Sequence, residues 1–176
     1  GRIITLTADK MMKAESAQQV AGIIREGFTK RSSEELAKLM AHDDQRVRLR
    51  AQLELTRRKD ALDRFVQATK SNNPLERVHG IWGLGILARR GAFITPGAAW
   101  TGPTPKAPLA ERVAAAKQLI PLLSHADAEV RAQALLQMLQ WDDYPTLESY
   151  LYTTLNDPSP EVRLSAATVA SLIDTR

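Results

Sequence analysis

Leu39-Met40-Ala41-His42-Asp43-Asp44 returns 83 residues later as Leu122-Leu123-Ser124-His125-Ala126-Asp127. Three residues past each closing Asp stands a Val-Arg pair, Val47-Arg48 and Val130-Arg131, and an Ala follows each Val four positions on, at Ala51 and Ala134. The same pattern of Val, a basic residue and a small or apolar residue reads at Val78-His79 with Trp82 and at Val162-Arg163 with Ala166. The four anchor Val positions are separated by 31, 52 and 32 residues. Val with an apolar residue at i+4 lays a stripe along one face of a helix. Recurrence at this period marks a chain built from units that bury their apolar faces only against one another.

The long middle interval has an evident cause. Gly91 to Pro108 reads GAFITPGAAWTGPTPKAP, with Pro96, Pro103, Pro105 and Pro108 among its residues. Pro lacks the N–H that a helix interior needs, so no helix continues through this segment. With the insertion set aside, four units of similar length remain. Each reads as a helix pair.

In the first unit, Ser32 and Glu35 form a capping-box pattern ahead of Leu36, Leu39 and Met40. The turn His42-Asp43-Asp44 then leads into a helix from about Gln45 to Lys59. The second unit pairs a helix near 60–70, with Leu62, Phe65 and Val66, with a helix from Pro74 to Arg90. Pro74 suits the first helical turn, where its missing N–H costs nothing. The third pairs 109–124 with 128–141, and the fourth 145–155 with 159–174 across Asn156-Asp157-Pro158-Ser159-Pro160. A candidate helix from Ser16 to Lys30 precedes them all. The basic residue after each anchor Val sits beside the stripe, within reach of a turn Asp on the adjacent unit.

These features predict an all-α chain, an α-solenoid of about four short HEAT-like, armadillo-type helix pairs over residues 16–176. The 31–32-residue period is shorter than most such repeats, and tetratricopeptide and ankyrin signatures are missing. Residues 1–15 differ: Gly1-Arg2-Ile3-Ile4-Thr5-Leu6-Thr7 is β-branched and strand-like. A lone strand is not stable beside helices, so this segment reads as the edge of a preceding β-rich domain.

Asp44-Gln45-Arg46-Val47-Arg48-Leu49-Arg50-Ala51-Gln52-Leu53-Glu54-Leu55 and His79-Gly80-Ile81-Trp82-Gly83-Leu84-Gly85 resemble the HEAT region of the PVC-type haem-binding dehydrogenases. In that family a sugar-dehydrogenase-like β-propeller precedes the helical repeats and a c-type cytochrome domain follows. Gly1 to Thr7 is similar to the last propeller strand. The specific likeness covers about residues 1–90. It implies a secreted or periplasmic parent, with redox chemistry elsewhere in that parent. The chain contains no cysteine, so the Cys-x-x-Cys-His haem motif has no counterpart here, and neither do the propeller's active-site residues. The expectation is a non-enzymatic piece with no cofactor of its own, docking proteins or neighbouring domains of the same chain.

Charge sharpens the choice of partner. Residues 1–120 hold 21 Lys/Arg against 12 Asp/Glu, and residues 121–176 hold 3 against 8. A basic front and an acidic tail suit polar docking or head-to-tail stacking of like modules. Arg46, Arg50 and Arg57 fall near one helical face beside Glu54, a stripe able to meet phosphates or a protein. The runner-up reading is therefore a nucleic-acid-binding HEAT-like module of the DNA glycosylase kind. Phosphate contacts dominate such affinity, and the acidic tail opposes it. No apolar run approaches the length of a membrane span.

The remaining chemistry-bearing residues read more simply. His42 and His125 occupy equivalent turns and His79 lies on a helix, without the local spacing of metal ligands. Asp142-Asp143, beside Trp141 and Tyr144, suits helix-end duty as well as acid–base work. Gly83 and Gly85 fall inside a predicted helix at a cost of roughly 1 kcal/mol each, which points to close packing. The insertion carries Phe93, Ile94 and Trp100 on a long loop, where functional contacts concentrate. Arg46, Arg50, Glu54, Arg57, Phe93 and Trp100 are accordingly the candidate partner-binding residues.

Overall fold

The computed structural model describes residues 15–89, 109–138 and 144–173, all of them helix or short connection. The helices are α1 (Glu15–Glu26), α2 (Ser33–Leu39), α3 (Gln45–Leu55), α4 (Ala61–Ala68), α5 (Pro74–Ala88), α6 (Leu109–Leu119), α7 (Ala128–Met138), α8 (Tyr144–Leu155) and α9 (Pro160–Ile173). No strand occurs among the described residues. The extended segment 1–7, the insertion 91–108 with Phe93, Ile94 and Trp100, and the Trp141-Asp142-Asp143 cluster lie outside the described residues.

Local chemistry sets the helix ends. Ser32 caps α2 through a complete capping box: its Oγ accepts the Glu35 N–H, and the Glu35 carboxylate accepts the Ser32 N–H at 2.7 Å. Pro74 occupies the first turn of α5 behind the Asn73 cap. α1 stops at Gly27, whose φ of 80° leaves the helical region. Pro121 cannot supply an α-helical N–H, and after Leu119 the chain tightens into a 3-10 segment, Ile120–Ser124. The sequence reading places the starts at Ser32 and Pro74, but runs one helix over 109–124 through Pro121 and carries the first helix past Gly27 to Lys30.

The helices pack in pairs: α2 with α3, α4 with α5, α6 with α7, and α8 with α9. The second member of each pair also lies against the second member of the next, in the order α3–α5–α7–α9, and α2 packs on α4. One continuous core results, with Leu36, Met40, Val47, Leu55, Phe65, Leu84, Leu119, Val130, Leu135, Met138 and Leu147 all buried in it. Burying each such side chain contributes about 1.5–3 kcal/mol. The anchors Val47, Val130 and Val162 and their partners Ala51, Ala134 and Ala166 are all buried.

The second unit departs from the sequence reading. Val78 and Trp82 are only partly buried, whereas Gly80 and Leu84 are fully inside. The helix there starts at the Asn73 cap, so the residue in register with Ala51 is Gly80, and Arg77 rather than His79 matches Arg48. The Val78-His79 pair is displaced around the helix. Close packing explains the glycines: a Cβ at Gly83 would strike the Phe65 ring of α4, and one at Gly85 would strike Gln137 of α7.

Candidate docking surface

Four turns share one construction. A polar side chain two residues before each helix cap accepts the cap's backbone N–H: His42 for Asp44, Ser71 for Asn73, His125 for Asp127 and Asp157 for Ser159. Each cap side chain in turn accepts the N–H two residues further on. Four residues past each cap stands an arginine, and its Nη1 donates back to the turn carbonyls. Arg48 reaches the His42 and Asp43 oxygens at 2.7 and 2.8 Å, and Arg77 reaches Ser71 at 3.0 Å. Arg131 holds His125 and Ala126 at 2.8 and 3.0 Å, and Arg163 holds Asp157 and Pro158 at 2.8 and 2.9 Å.

Three of these guanidinium groups, those of Arg48, Arg77 and Arg131, then reach the next unit. Arg77 Nη2 donates to the Asp127 carboxylate at 2.9 Å. Arg131 grips Asp157 with two parallel bonds, Nε at 2.8 Å and Nη2 at 2.7 Å, and the two side chains are only 13% and 10% exposed. A bidentate, sheltered pair of this kind is far stronger than a surface ion pair. Its mutual effect holds the Asp157 carboxyl below the usual carboxylate range through the Arg131 hydrogen bond, and raises Arg131 correspondingly. The turn acids therefore receive the basic residues of the preceding unit, as the sequence pattern suggested, with Arg77 taking the place expected of His79.

Arg48 meets a different receiver. Its Nε donates to His79 Nε2 at 3.1 Å, and His79 Nδ1 lies against the Gln52 side-chain oxygen. An Nε2 that accepts leaves the proton on Nδ1, so the imidazole is neutral. His79 is 3% exposed, and its pKa is pushed down to about 4, chiefly by burial and then by the Arg48 charge. Its ring also meets Trp82 edge-on at 5.0 Å, and Trp82 Nε1 donates to Gln133 of α7 at 2.7 Å. His42 and His125 serve as turn acceptors. Among the described residues no group of three His, Asp or Glu side chains could hold a metal ion.

The candidate residues separate into two places. Arg50, Glu54 and Arg57 line one open groove of about 450 Å³ with Phe28, Leu49 and Leu53, where the α1–α2 turn meets α3. Glu54 is occupied within it, bonded to Arg57 at 3.1 Å and Arg58 at 3.0 Å. Arg58 also ties α3 to the α1–α2 turn through the Thr29 and Arg31 carbonyls. Arg46 faces elsewhere, clamped onto its own cap Asp44, whose pKa it lowers to about 2, and it borders a second groove beside α1. The stripe read from helical spacing is thus divided.

Sequence reasoning missed Arg77, Arg58 and the apolar lining from Phe28, Leu49 and Leu53. The signal for Arg77 was present: a polar residue, a cap two further on, and an Arg four beyond that occur in all four turns. No protein-family profile and no curated protein matches this sequence.

Proposed function

We propose that this chain is a HEAT-type repeat stack that serves as a non-catalytic scaffold, docking proteins or neighbouring domains of its own chain. The observation that carries the reading is the chain of arginines, each of which holds its own turn and, at Arg77 and Arg131, grips a carboxylate of the following unit. Side chains of this sort are committed to setting the relative position of helix pairs. The resemblance to PVC-type haem-binding dehydrogenases supplies a setting, a spacer between catalytic and electron-transfer domains of a periplasmic or secreted protein. The flanking reading frames test that setting: a propeller upstream and a Cys-x-x-Cys-His motif downstream support it.

The alternative, a nucleic-acid-binding module, draws on the basic face of α3. Arg46 and Arg57 are each bonded to a carboxylate, which lowers the charge available to phosphates. A labelled DNA duplex titrated at low and at moderate salt separates the two readings. The scaffold reading expects no saturable binding at low salt. Salt-dependent binding that is lost in Arg46→Ala, Arg50→Ala and Arg57→Ala together would replace it with the alternative.

A further inference from the structure

Among the described residues, the chain of arginines ends without a receiver at Arg163. Arg163 holds its own turn carbonyls in the manner of Arg131, yet its Nε and Nη2 meet no carboxylate among the described residues. The residues around it tell the same story. Four positions after the ladder arginine, Gln52, Ile81 and Leu135 are buried, and the residue in that register on α9, Ala167, is exposed. Directly after the ladder arginine, Ala132 is buried, Val78 partly buried and Leu49 42% exposed, while Leu164 on α9 is the most open of the four at 69%. On the partner helix, Tyr152 is 78% exposed, and Leu155 is 41% exposed where its counterpart Leu123 is 7%. A cation and an apolar surface thus recur at the register where α7 receives α9 and Arg131 receives Asp157.

We propose that the outer face of the α8–α9 pair is a docking site for a helical hairpin that carries a carboxylate in its inter-helix turn. The proposal rests on the scaffold reading and names the partner's chemistry. The hairpin's apolar face covers Leu155, Leu164 and Ala167, and its turn carboxylate accepts from the free edge of the Arg163 guanidinium. A second copy of this chain fits poorly. Residues 144–173 hold three acids, Glu148, Asp157 and Glu161, against Arg163 as the single base, so pairing this face with itself sets like charges together. At the other end, α1 already lies on α3, alongside the turn that carries Asp43 and Asp44.

The absence of cysteine makes the test direct. Leu164→Cys places one thiol on the face, at a side chain exposed enough that the fold tolerates the change. The probe hairpin is a copy of residues 139–173 joined after residue 173, because that stretch contains α9, which packs on α7, and Asp157, which Arg131 holds. Docking slows thiol labelling by about tenfold or more relative to the unextended chain. Much of that protection disappears when the host carries Arg163→Gln or the appended copy carries Asp157→Ala. Labelling that is not slowed, whether or not the copy adds helix by circular dichroism, overturns the proposal. Equal protection with and without the carboxylate overturns the stated partner chemistry. Protection that rises with the concentration of the unextended chain assigns the face to self-association instead, and overturns it too. None of these outcomes bears on the duplex titration, on which the scaffold reading stands or falls.

Discussion

Removing the Arg131–Asp157 contact tests whether the arginines set the position of successive helix pairs. Arg131→Met leaves the His125 and Ala126 carbonyls and a carboxylate only 10% exposed without their donor. Hydrogen bonds to charged groups contribute about 1.5–3 kcal/mol each, and an orphaned buried partner costs about as much again. Because the bonds share one group and do not add, the expected loss is about 3 kcal/mol, or roughly 6–12 °C in Tm for a chain this size. Asp157→Asn keeps an oxygen for the Ser159 N–H, made at 2.8 Å, and removes the charge. Combining both substitutions in a double-mutant cycle, read by urea denaturation at pH 7, isolates the pair. The coupling should be about 1–2 kcal/mol. A parallel cycle on Glu34 and Lys38, 63% and 74% exposed at 2.7 Å, provides the reference and should show no measurable coupling. If the two cycles agree, the Arg131–Asp157 pair behaves as a surface ion pair, and the argument that it orients the units fails. The coupling also has a pH signature. Asp157 has a folded pKa below its ordinary 3.8, so its contribution is complete above that value and fades as pH falls through the folded one.

Two glycines within helices should respond to Ala in opposite directions. At Gly22 of α1 an added Cβ meets nothing within 4 Å, so Gly22→Ala raises stability by up to about 1 kcal/mol. At Gly83 the same change meets the Phe65 ring, and overpacking of about 1–3 kcal/mol exceeds the helix gain, so Tm falls; a rise in Tm at both sites would show that α4 and α5 are not in close contact. His79 supplies a titration test. With a folded pKa of about 4 against 6.5, its neutral form contributes fully above pH 6.5, and that contribution, about 3 kcal/mol, is lost as pH falls to 4. His79→Gln should flatten the stability profile between those values, and an NMR titration placing His79 at or above 6.5 would contradict the buried, neutral assignment.

Much of this architecture was readable from residues whose effects are local. Ser32 with Glu35, Asp44 and Pro74 each fix a helix start through one or two backbone groups, and sequence alone states those groups' needs; Pro121 does the same within 109–124, where the sequence reading runs one helix through it. The second unit was harder because an apolar position there is filled by a polar residue. Its cap is Asn73, which puts Glu76 where Val47, Val130 and Val162 stand in the other units. Val78 offered a tempting substitute two positions later, yet two residues rotate a side chain about 200° around a helix. The basic face of α3 failed to hold together for a related reason. Helical spacing aligns Arg46, Arg50 and Arg57, but spacing is blind to carboxylates nearby. Asp44 draws Arg46 toward the cap and away from the others, while Arg50 and Arg57 share a groove in which Arg57 is bonded to Glu54. The cost of Gly83 was legible; its beneficiary, the Phe65 ring across the helix pair, was not.

The choice of arginine at the recurring position follows from its shape. One planar fork can serve two directions at once: Nη1 of Arg131 faces its own turn carbonyls, while Nε and Nη2 face the next unit's carboxylate. A lysine ammonium is a compact point charge without a second edge, so it can satisfy one side well or both sides poorly. The turn that starts a helix and the contact that orients its neighbour therefore depend on a single side chain, and loosening either loosens the other. Arg131→Lys should lose most of the Asp157 coupling although it conserves charge. Arg163→Lys should cost distinctly less, since among the described residues only one edge of that fork is engaged. Comparing the two lysine variants by urea denaturation measures what the second edge contributes. Equal losses would mean that Arg131 acts through its own turn alone, and that the helix pairs are held in place by their apolar faces without the arginines.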